Sequence, residues 1–279
     1  MSGDACGTDA SAPPVLPLES APAGLRARLE SLRLKYAAAF GGEVPAVYVR
    51  VPGRVNLIGE HVDYCGYSVC PMAIQQDLLV AASPVDTGDF LRLVNLDSET
   101  YPGHDFPDRN FVIDLKLNGW SSYFLCGVKG ALERMSTGCS LPNGRPNGNV
   151  PPGSGLSSSS ALVSAAFLTT AYLNKMQLSK SELAALSARS EQYIGTVGGG
   201  MDQAIAFLAT KGCAKHIEFE PIRTEDLSLP DDAVFVIAHS RVTKNKAATA
   251  DFNTRVVECR LAAQVRKFSV QNCCVGIYE

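Results

Sequence analysis

Residues 148–167 read GNVPPGSGLSSSSALVSAAF, a glycine- and serine-rich loop that leads directly into an apolar helix. The free N–H groups of a helix's first turn and its dipole favour an anion, and Gly153 and Gly155 lack the Cβ atoms that would hold a phosphate away. The hydroxyls of residues 157–160 can donate to phosphate oxygens or bind magnesium. The loop has neither the Gly-Lys-Ser/Thr ending of a Walker A loop nor a GxGxxG pattern. A flexible linker is the alternative, but a linker is rarely followed at once by a well-formed helix, so the sequence predicts a phosphate-binding loop.

Helical and strand-like patterns alternate irregularly on both sides of this loop. The apolar spacing predicts helices over residues 24–40, 121–135 and 245–268, one from the loop to residue 173, and one that begins at a capping box of Ser179 and Glu182. Apolar runs predict strands over residues 46–51, 68–82, 90–96, 111–115, 214–219 and 233–239, with a turn at 52–53 and a loop over 138–155 that has room for a short strand near 148–150. The order lacks a clean βαβ alternation, so the sequence predicts an α+β fold.

A second segment, residues 52–67, reads PGRVNLIGEHVDYCGY and concentrates polar groups among apolar and small residues. It contains Arg54, Asn56, Glu60, His61 and Asp63. Ionisable side chains in such surroundings are costly to bury unless they pair or meet a polar ligand. A polyhydroxylated ligand such as a sugar would satisfy them, because carboxylates accept hydroxyl hydrogens. A structural ion pair with a core histidine is the alternative interpretation.

A third feature is the pair of acids, Glu191 and Asp202, on either side of the glycine-rich residues 194–201. A glycine-dense turn lets the backbone run close to a ligand and can bring two acids to one site. Glycines also end helices for steric reasons alone, so a solvated acid pair remains the default interpretation of this feature.

Composition and charge restrict the class of protein. The chain has 279 residues, 46% hydrophobic and 19% charged, which is typical of a folded protein with one large domain or two domains. The net charge of -3 provides no field for nucleic acid or an anionic membrane, and no apolar segment is long enough for a bilayer. The first residues lack the pattern of a secretory signal, and nine cysteines without a CxxC pair favour reduced thiols. We therefore expect a cytoplasmic protein.

Taken in order, the three segments resemble the galactokinase branch of the GHMP small-molecule kinases. PGRVNLIGEHVDY is similar to the sugar-binding signature of that family, PPGSGLSSSSALV to its phosphate loop and GGGMDQ to the segment with its catalytic aspartate. The wording of YCGYSVCPMAI, FLCGVKG, SEQYIGTVGGGMDQ and VTKNKAAT is more similar to N-acetylgalactosamine kinase than to the galactose-restricted enzyme. The resemblance runs from about residue 46 to residue 268, and it implies a mixed sheet with helices and a phosphate loop before a helix.

The resemblance also implies an activity, namely ATP-dependent phosphorylation of the anomeric 1-hydroxyl of N-acetylgalactosamine or galactose. Asp202 would face that hydroxyl with Arg54 beside it, and the residue type leaves open whether Asp202 removes the proton or positions the hydroxyl. Glu60, His61 and Asp63 would bind the ring hydroxyls of the sugar and select the galacto configuration.

The same resemblance implies ATP and Mg²⁺ as cofactors. The residues expected to bind ATP are Gly153, Gly155, Ser157, Ser158, Asn245 and Lys246. Ser159 and Glu191 match the magnesium ligands of the family, and both offer the hard oxygen donors that magnesium prefers.

The chain departs from the family near its end, because it has no third glycine-rich motif. We expect a disordered leader over residues 1–22, a sugar- and ATP-binding domain over 23–240, the first helix of a second domain over 241–268 and an atypical tail over 269–279. Three interpretations follow: a monomeric sugar-1-kinase, a non-catalytic sugar and nucleotide sensor, or an inactive truncated form. The presence of both Arg54 and Asp202 favours the first over the second.

Overall fold

The structure, a computed structural model, describes residues 11–85, 90–107, 110–114, 119–135, 141–148, 152, 154–238, 240–243 and 245–275, without the side chains of 143–148 and 267–275. The helices are α1 Ala23–Ala39, α2 Trp120–Leu132, α3 Ser158–Leu173, α4 Lys180–Ser190, α5 Met201–Leu208 and α6 Asp251–Val275. The strands are β1 Val47–Ile58, β2 Cys70–Pro84, β3 Leu91–Leu93, β4 His104–Phe106, β5 Pro142–Gly148, β6 Cys213–Glu218 and β7 Arg223–Ser228. Short 3-10 turns lie at Leu18–Ser20, Asp63–Cys65 and Glu191–Ile194.

The main sheet has the strand order β1-β2-β5-β3-β4, with β1, β2 and β5 antiparallel to one another and β3 parallel to β5. Successive side chains of a strand point to opposite faces, and β2 uses both. Val80 packs with Phe124 of α2 and Val163 of α3 on one face. Leu79 packs with Tyr36 of α1 on the other face. The sheet is therefore covered by helices on both sides.

A second core lies beside the first, where the antiparallel hairpin of β6 and β7 meets α4 and α5. Leu183, Ile205 and Ile217 are fully buried there and pack with Phe167 of α3. An isolated antiparallel bridge between Val69 and Ile217 joins the hairpin to the chain just before β2. Since α3 contributes to both cores, it fixes the position of α5 relative to the main sheet.

Strand β1 continues through residues 52–53, where the sequence predicts a turn, so that prediction is wrong. The pairing of β1 with β2 shifts register between Pro52 and Arg54. β1 is an edge strand, and a proline is tolerated at an edge or a bulge because no ladder hydrogen bond is lost there. The shift sets the register of Arg54 against β2.

Strand β5 occupies residues 142–148, inside the predicted loop, and pairs with β2 from Leu78 to Pro84. Its sequence, PNGRPNG, has low intrinsic preference for a strand, and the pairing with a long apolar neighbour outweighs that preference. The predicted strands at 111–115 and 233–239 are wrong for their described residues, 111–114 and 233–238, which form no strand. Strands β4 and β7 were not predicted.

Helix α6 begins at Asp251, not at residue 245, and runs to Val275 beyond the predicted end at residue 268. The sequence from 269 to 275 contains neither glycine nor proline, and nothing local stops the helix there. Val257, Leu261 and Val265, which form the predicted apolar stripe, are exposed, whereas Val256 is buried.

Within the part of the chain that the structure describes, no helix combines the length and the apolar character needed to cross a bilayer.

Candidate active site

Asp202 lies in the first turn of α5, after Gly200 in a left-handed conformation. Its Oδ1 accepts a hydrogen bond from Arg54 Nε at 2.7 Å, and its Oδ2 lies 3.4 Å from Lys246 Nζ. The carboxylate is also at the positive end of the helix dipole. Burial alone would raise the pKa of Asp202, but the charges of Arg54 and Lys246 outweigh it and hold that pKa well below its ordinary value. Asp202 is therefore an anion at neutral pH.

Arg54 joins the catalytic carboxylate to the glycine- and serine-rich loop. Its Nη1 donates to the carbonyl oxygen of Gly155 at 2.5 Å, and its backbone N–H donates to the carbonyl oxygen of Leu156 at 3.2 Å. Arg54 is only 7% exposed. Burial opposes the charge of the guanidinium, yet Asp202 raises the pKa of Arg54, so the side chain stays a cation. The prediction that Arg54 lies beside Asp202 is confirmed.

The loop before α3 has the strained backbone expected of a ligand-binding turn. Gly155 has φ +78, and Ser157, the N-cap of α3, has φ +63, which is uncommon for a residue with a Cβ. The Ser157 side chain makes no capping hydrogen bond, so it does not satisfy the first-turn N–H groups of α3. Ser157 is buried and Ser158 half-buried. Gly153 lies outside the described residues.

Glu191 is buried at the end of α4 and accepts hydrogen bonds from two neighbours. Ser160 Oγ lies 3.0 Å from both of its carboxylate oxygens, and Gln203 Nε2 donates to Oε2 at 2.6 Å. Burial, and then the charge of Asp202, raise the pKa of Glu191. The serine that contacts Glu191 is Ser160, whereas the predicted partner Ser159 is a half-buried neighbour with no recorded contact to it.

The second predicted segment divides into a part near Asp202 and an exposed rim. Asp63 Oδ2 accepts from the Met201 N–H at 3.3 Å, and burial, followed by the charge of Asp202, raises the pKa of Asp63. Glu60 is exposed and accepts from Asn56 Nδ2 at 2.9 Å. Asp63 thus joins the Asp202 site.

His61 belongs to the exposed rim. It has φ +59, and its Nδ1 lies 2.5 Å from Tyr64 Oη. A core histidine is therefore the wrong interpretation of this segment.

Asn245 and Lys246 lie in the turn before α6. Tyr123 Oη donates to Asn245 Oδ1 at 2.8 Å, which ties this turn to α2. Lys246 Nζ lies 5.2 Å from the centre of the Phe252 ring, and Asp202 raises the pKa of Lys246. The structure thus brings Lys246 to the catalytic carboxylate.

Three contributors were not predicted as site residues: Tyr123, Ser160 and Gln203. Ser160 is one of four consecutive serines, and only the helix geometry separates it from the others. Gln203 follows Asp202 directly, which is the one sequence signal that could have indicated it. Tyr123 lies in an apolar helix far from the motifs, and its role depends on tertiary packing.

No group of three or more His, Cys, Asp or Glu among the described residues is arranged to hold a metal ion. Magnesium usually takes one or two carboxylates from a protein and its other ligands from phosphates and water. A buried carboxylate whose pKa is raised, as in Glu191, is a group whose negative charge a cation would stabilise. Its donor chemistry fits Mg²⁺.

Two family models match the chain. The galactokinase galactose-binding signature matches residues 34–84, and the N-terminal domain of GHMP kinases matches residues 125–210. A galactokinase of Candida maltosa is 37% identical over 169 residues, which cover 59% of this chain and 78% of that protein. The chain belongs to the galactokinase family of the GHMP kinases. The predicted membership of this family is confirmed.

Longer galactokinases also match. The protein from Dictyostelium discoideum is 43% identical over 254 residues, which cover 86% of this chain and 50% of the relative. The protein from Saccharomyces cerevisiae is 35% identical, with 88% and 50% covered. The chain thus spans about half the length of these curated relatives. Its greater similarity to N-acetylgalactosamine kinase stays a prediction.

Solved structures confirm the fold. The Lactococcus lactis galactokinase, crystallised with galactose, superposes with a TM-score of 0.66 at 24% identity and covers 86% of this chain and 62% of that one. The Methanococcus jannaschii mevalonate kinase gives a TM-score of 0.53 at 21% identity over 63% of this chain and 55% of that one. The predicted α+β fold with a GHMP-kinase N-terminal domain is confirmed.

Proposed function

We propose that this galactokinase-family chain binds ATP and a galactose-type sugar and transfers the terminal phosphoryl group of ATP to the anomeric 1-hydroxyl. The observation that supports this most is the Arg54–Asp202 pair, which connects the anionic carboxylate at the start of α5 to the carbonyl of Gly155 in the loop before α3. An acceptor hydroxyl bound by Asp202 would therefore lie next to the phosphates held by that loop.

The electrostatics favour a positioning role for Asp202. A carboxylate whose pKa is far below its ordinary value is a weak base at neutral pH, so it orients the hydroxyl more effectively than it removes the proton. Arg54 and Lys246 place two cations next to it, where they offset the charge of the transferring phosphoryl group. Phosphoryl transfer needs mainly such positioning and charge stabilisation.

The nucleotide would lie over the start of α3. The backbone N–H groups of its first turn and the hydroxyls of Ser157 and Ser158 are the expected phosphate donors. Gly153, Asn245 and Lys246 complete the predicted ATP contacts. Bound Mg²⁺ would offset negative charge on the phosphates, and Ser159 and Glu191 are its predicted protein ligands.

The sugar would contact Asp63 near Asp202 and Glu60 and His61 at the exposed rim. Carboxylates and a histidine can accept and donate to ring hydroxyls, and a polar pocket discriminates strongly against a sugar that leaves them unpaired. Galactose is the acceptor that the family membership supports. N-acetylgalactosamine is the finer prediction, which rests on the wording of motifs such as SEQYIGTVGGGMDQ. We expect the chain to act in the cytoplasm as a monomer.

The test mixes the purified chain with Mg-ATP and galactose, N-acetylgalactosamine or glucose, and follows ADP release and the unfolding midpoint. We expect ADP release and a raised midpoint with one or both galacto sugars, and neither with glucose, because bound ligand stabilises the folded state. Stabilisation without ADP release would instead support the sensor interpretation. The absence of both would reject the proposed function.

A further inference from the structure

Ser160 lies in the first turn of α3 and contacts both buried acids of the site. Its Oγ is 3.0 Å from Glu191 Oε1, 3.0 Å from Glu191 Oε2 and 3.1 Å from Asp202 Oδ2. The residue is 1% exposed. One hydroxyl therefore stands between two carboxylates that come from sequence positions 31 and 42 residues away.

The two carboxylates have other donors, but at other oxygens. Gln203 Nε2 donates to Glu191 Oε2 at 2.6 Å, and Arg54 Nε donates to Asp202 Oδ1 at 2.7 Å. Among the described residues, Ser160 is the one hydrogen-bond donor to Glu191 Oε1. Removal of its hydroxyl would leave a buried carboxylate oxygen without a partner, which costs more than the loss of an exposed hydrogen bond.

We propose that Ser160 is a positioning residue whose hydroxyl fixes the carboxylates of Glu191 and Asp202 relative to each other. The inference rests on the proposed kinase function, in which Asp202 orients the acceptor hydroxyl and Glu191 lies at the metal ion beside the phosphates. Transfer requires acceptor and phosphate in line, and a misplacement of about 1 Å lowers the rate on the order of 100-fold. Ser160 acts through the two carboxylates and has no assigned contact with substrate.

The same helix supplies a matched control. Ser164 lies about one turn further along α3 and is 0% exposed, and its hydroxyl has no hydrogen-bond partner among the described residues. Ser160→Ala and Ser164→Ala therefore remove the same atom from the same helix at the same burial. Any difference between the two variants reports the hydrogen bonds to the carboxylates.

The first measurement is steady-state kinetics with galactose and Mg-ATP. Ser160→Ala is expected to lower kcat on the order of tenfold while the KM for galactose stays within about twofold, because the lost interaction affects alignment and not sugar binding. Ser164→Ala should change neither value. Ser160→Thr, which keeps the hydroxyl, should recover most of kcat. Equal kcat values for Ser160→Ala and Ser164→Ala would overturn the proposal.

The second measurement uses the ligand-free chain and needs no turnover. Urea unfolding of Ser160→Ala, Glu191→Gln and the double variant forms a cycle that measures their coupling. We expect the effect of Ser160→Ala on the unfolding equilibrium constant to be about tenfold smaller in the Glu191→Gln background, since hydrogen bonds to charged groups are the stronger ones. Additive effects would contradict the proposal. If the wild-type chain releases no ADP with any sugar, the proposed function fails, and this cycle alone decides the role of Ser160.

Discussion

At the scale of single residues, three acids in one site have opposite electrostatics. Burial raises the pKa of Asp63 and of Glu191, whereas the charges of Arg54 and Lys246 reverse that effect at Asp202. The cause is geometric, because both cations lie within 3.4 Å of Asp202. Opposed pKa shifts among neighbouring acids are characteristic of functional sites. Asp202 is the acid that the fold keeps ionised, and the other two are destabilised charges that a ligand can satisfy.

Asp202→Asn tests the role of that charge. The amide keeps the size of the side chain but cannot hold an acceptor hydroxyl as an anion does, so we expect kcat to fall on the order of 100-fold or more. Galactose binding, measured by calorimetry, should change far less. Asp231→Asn is the control, because Asp231 is exposed and lies in a turn away from the site. A kcat near that of the wild type in Asp202→Asn would contradict the assignment.

Asp63→Asn tests the cost of the buried charge. Folding raises the pKa of Asp63, so the folded state loses stability as the pH rises from the ordinary range of an aspartate, about 4, through the raised value. The asparagine oxygen can still accept from the Met201 N–H. We therefore expect the ligand-free variant to be more stable than the wild type at pH 7, with the advantage shrinking towards pH 4. Chemical unfolding at several pH values measures this, and a pH-independent difference would argue against it.

At the scale of elements, the sequence predicted those whose signals are local. The capping box of Ser179 and Glu182 forms as predicted and starts α4, because both of its hydrogen bonds lie within one turn. Strand β5 has no such signal, since only its pairing with β2 makes PNGRPNG a strand. The predicted strand at 233–239 shows the converse, because an apolar run forms a strand only where a neighbouring strand is available to pair with it.

The candidate site follows the same division. The three motifs indicated Arg54, Asp63 and Asp202 from residue type and spacing, since these features are visible within each segment. Ser160 and Gln203 hold Glu191 through contacts between α3, α4 and α5. The choice of Ser160 over Ser159 depends on which direction a helix presents to its neighbours, and four identical residues carry no information about that direction.

The junction between the second segment and α5 can be tested with Gly199→Ala. A Cβ at Gly199 would overlap the backbone of Asp63 and Tyr64, so the variant must separate Asp63 from α5. We expect a loss of about 1 to 3 kcal/mol in the free energy of unfolding together with weaker galactose binding. Gly198→Ala is the matched control, because a Cβ there meets no atom within 4 Å. Equal effects of the two substitutions would contradict this account of the junction.

At the scale of the whole molecule, two cores share helix α3, while part of the apolar surface stays uncovered. Residues 233–238 form no strand, and Val234 and Val236 are 84% and 87% exposed. Three further apolar side chains on α6, at Val257, Leu261 and Val265, are exposed as well. Contiguous exposed apolar groups favour association between molecules, whereas single exposed ones are normal.

Val236→Lys tests whether the exposed segment limits the solubility of the isolated chain. A charge in the middle of an apolar run disfavours contact between copies, so light scattering at a fixed protein concentration should decrease. The side chain makes few contacts, so the free energy of unfolding should stay within about 0.5 kcal/mol of the wild type. Val112→Lys is the matched control, because Val112 is 84% exposed but its neighbours Phe111 and Ile113 are partly buried against the main core. If both substitutions reduce scattering equally, net charge and not the 233–238 segment determines solubility. If only Val236→Lys does, the association depends on that segment, and sugar or nucleotide binding at the Asp202 site should leave it unchanged.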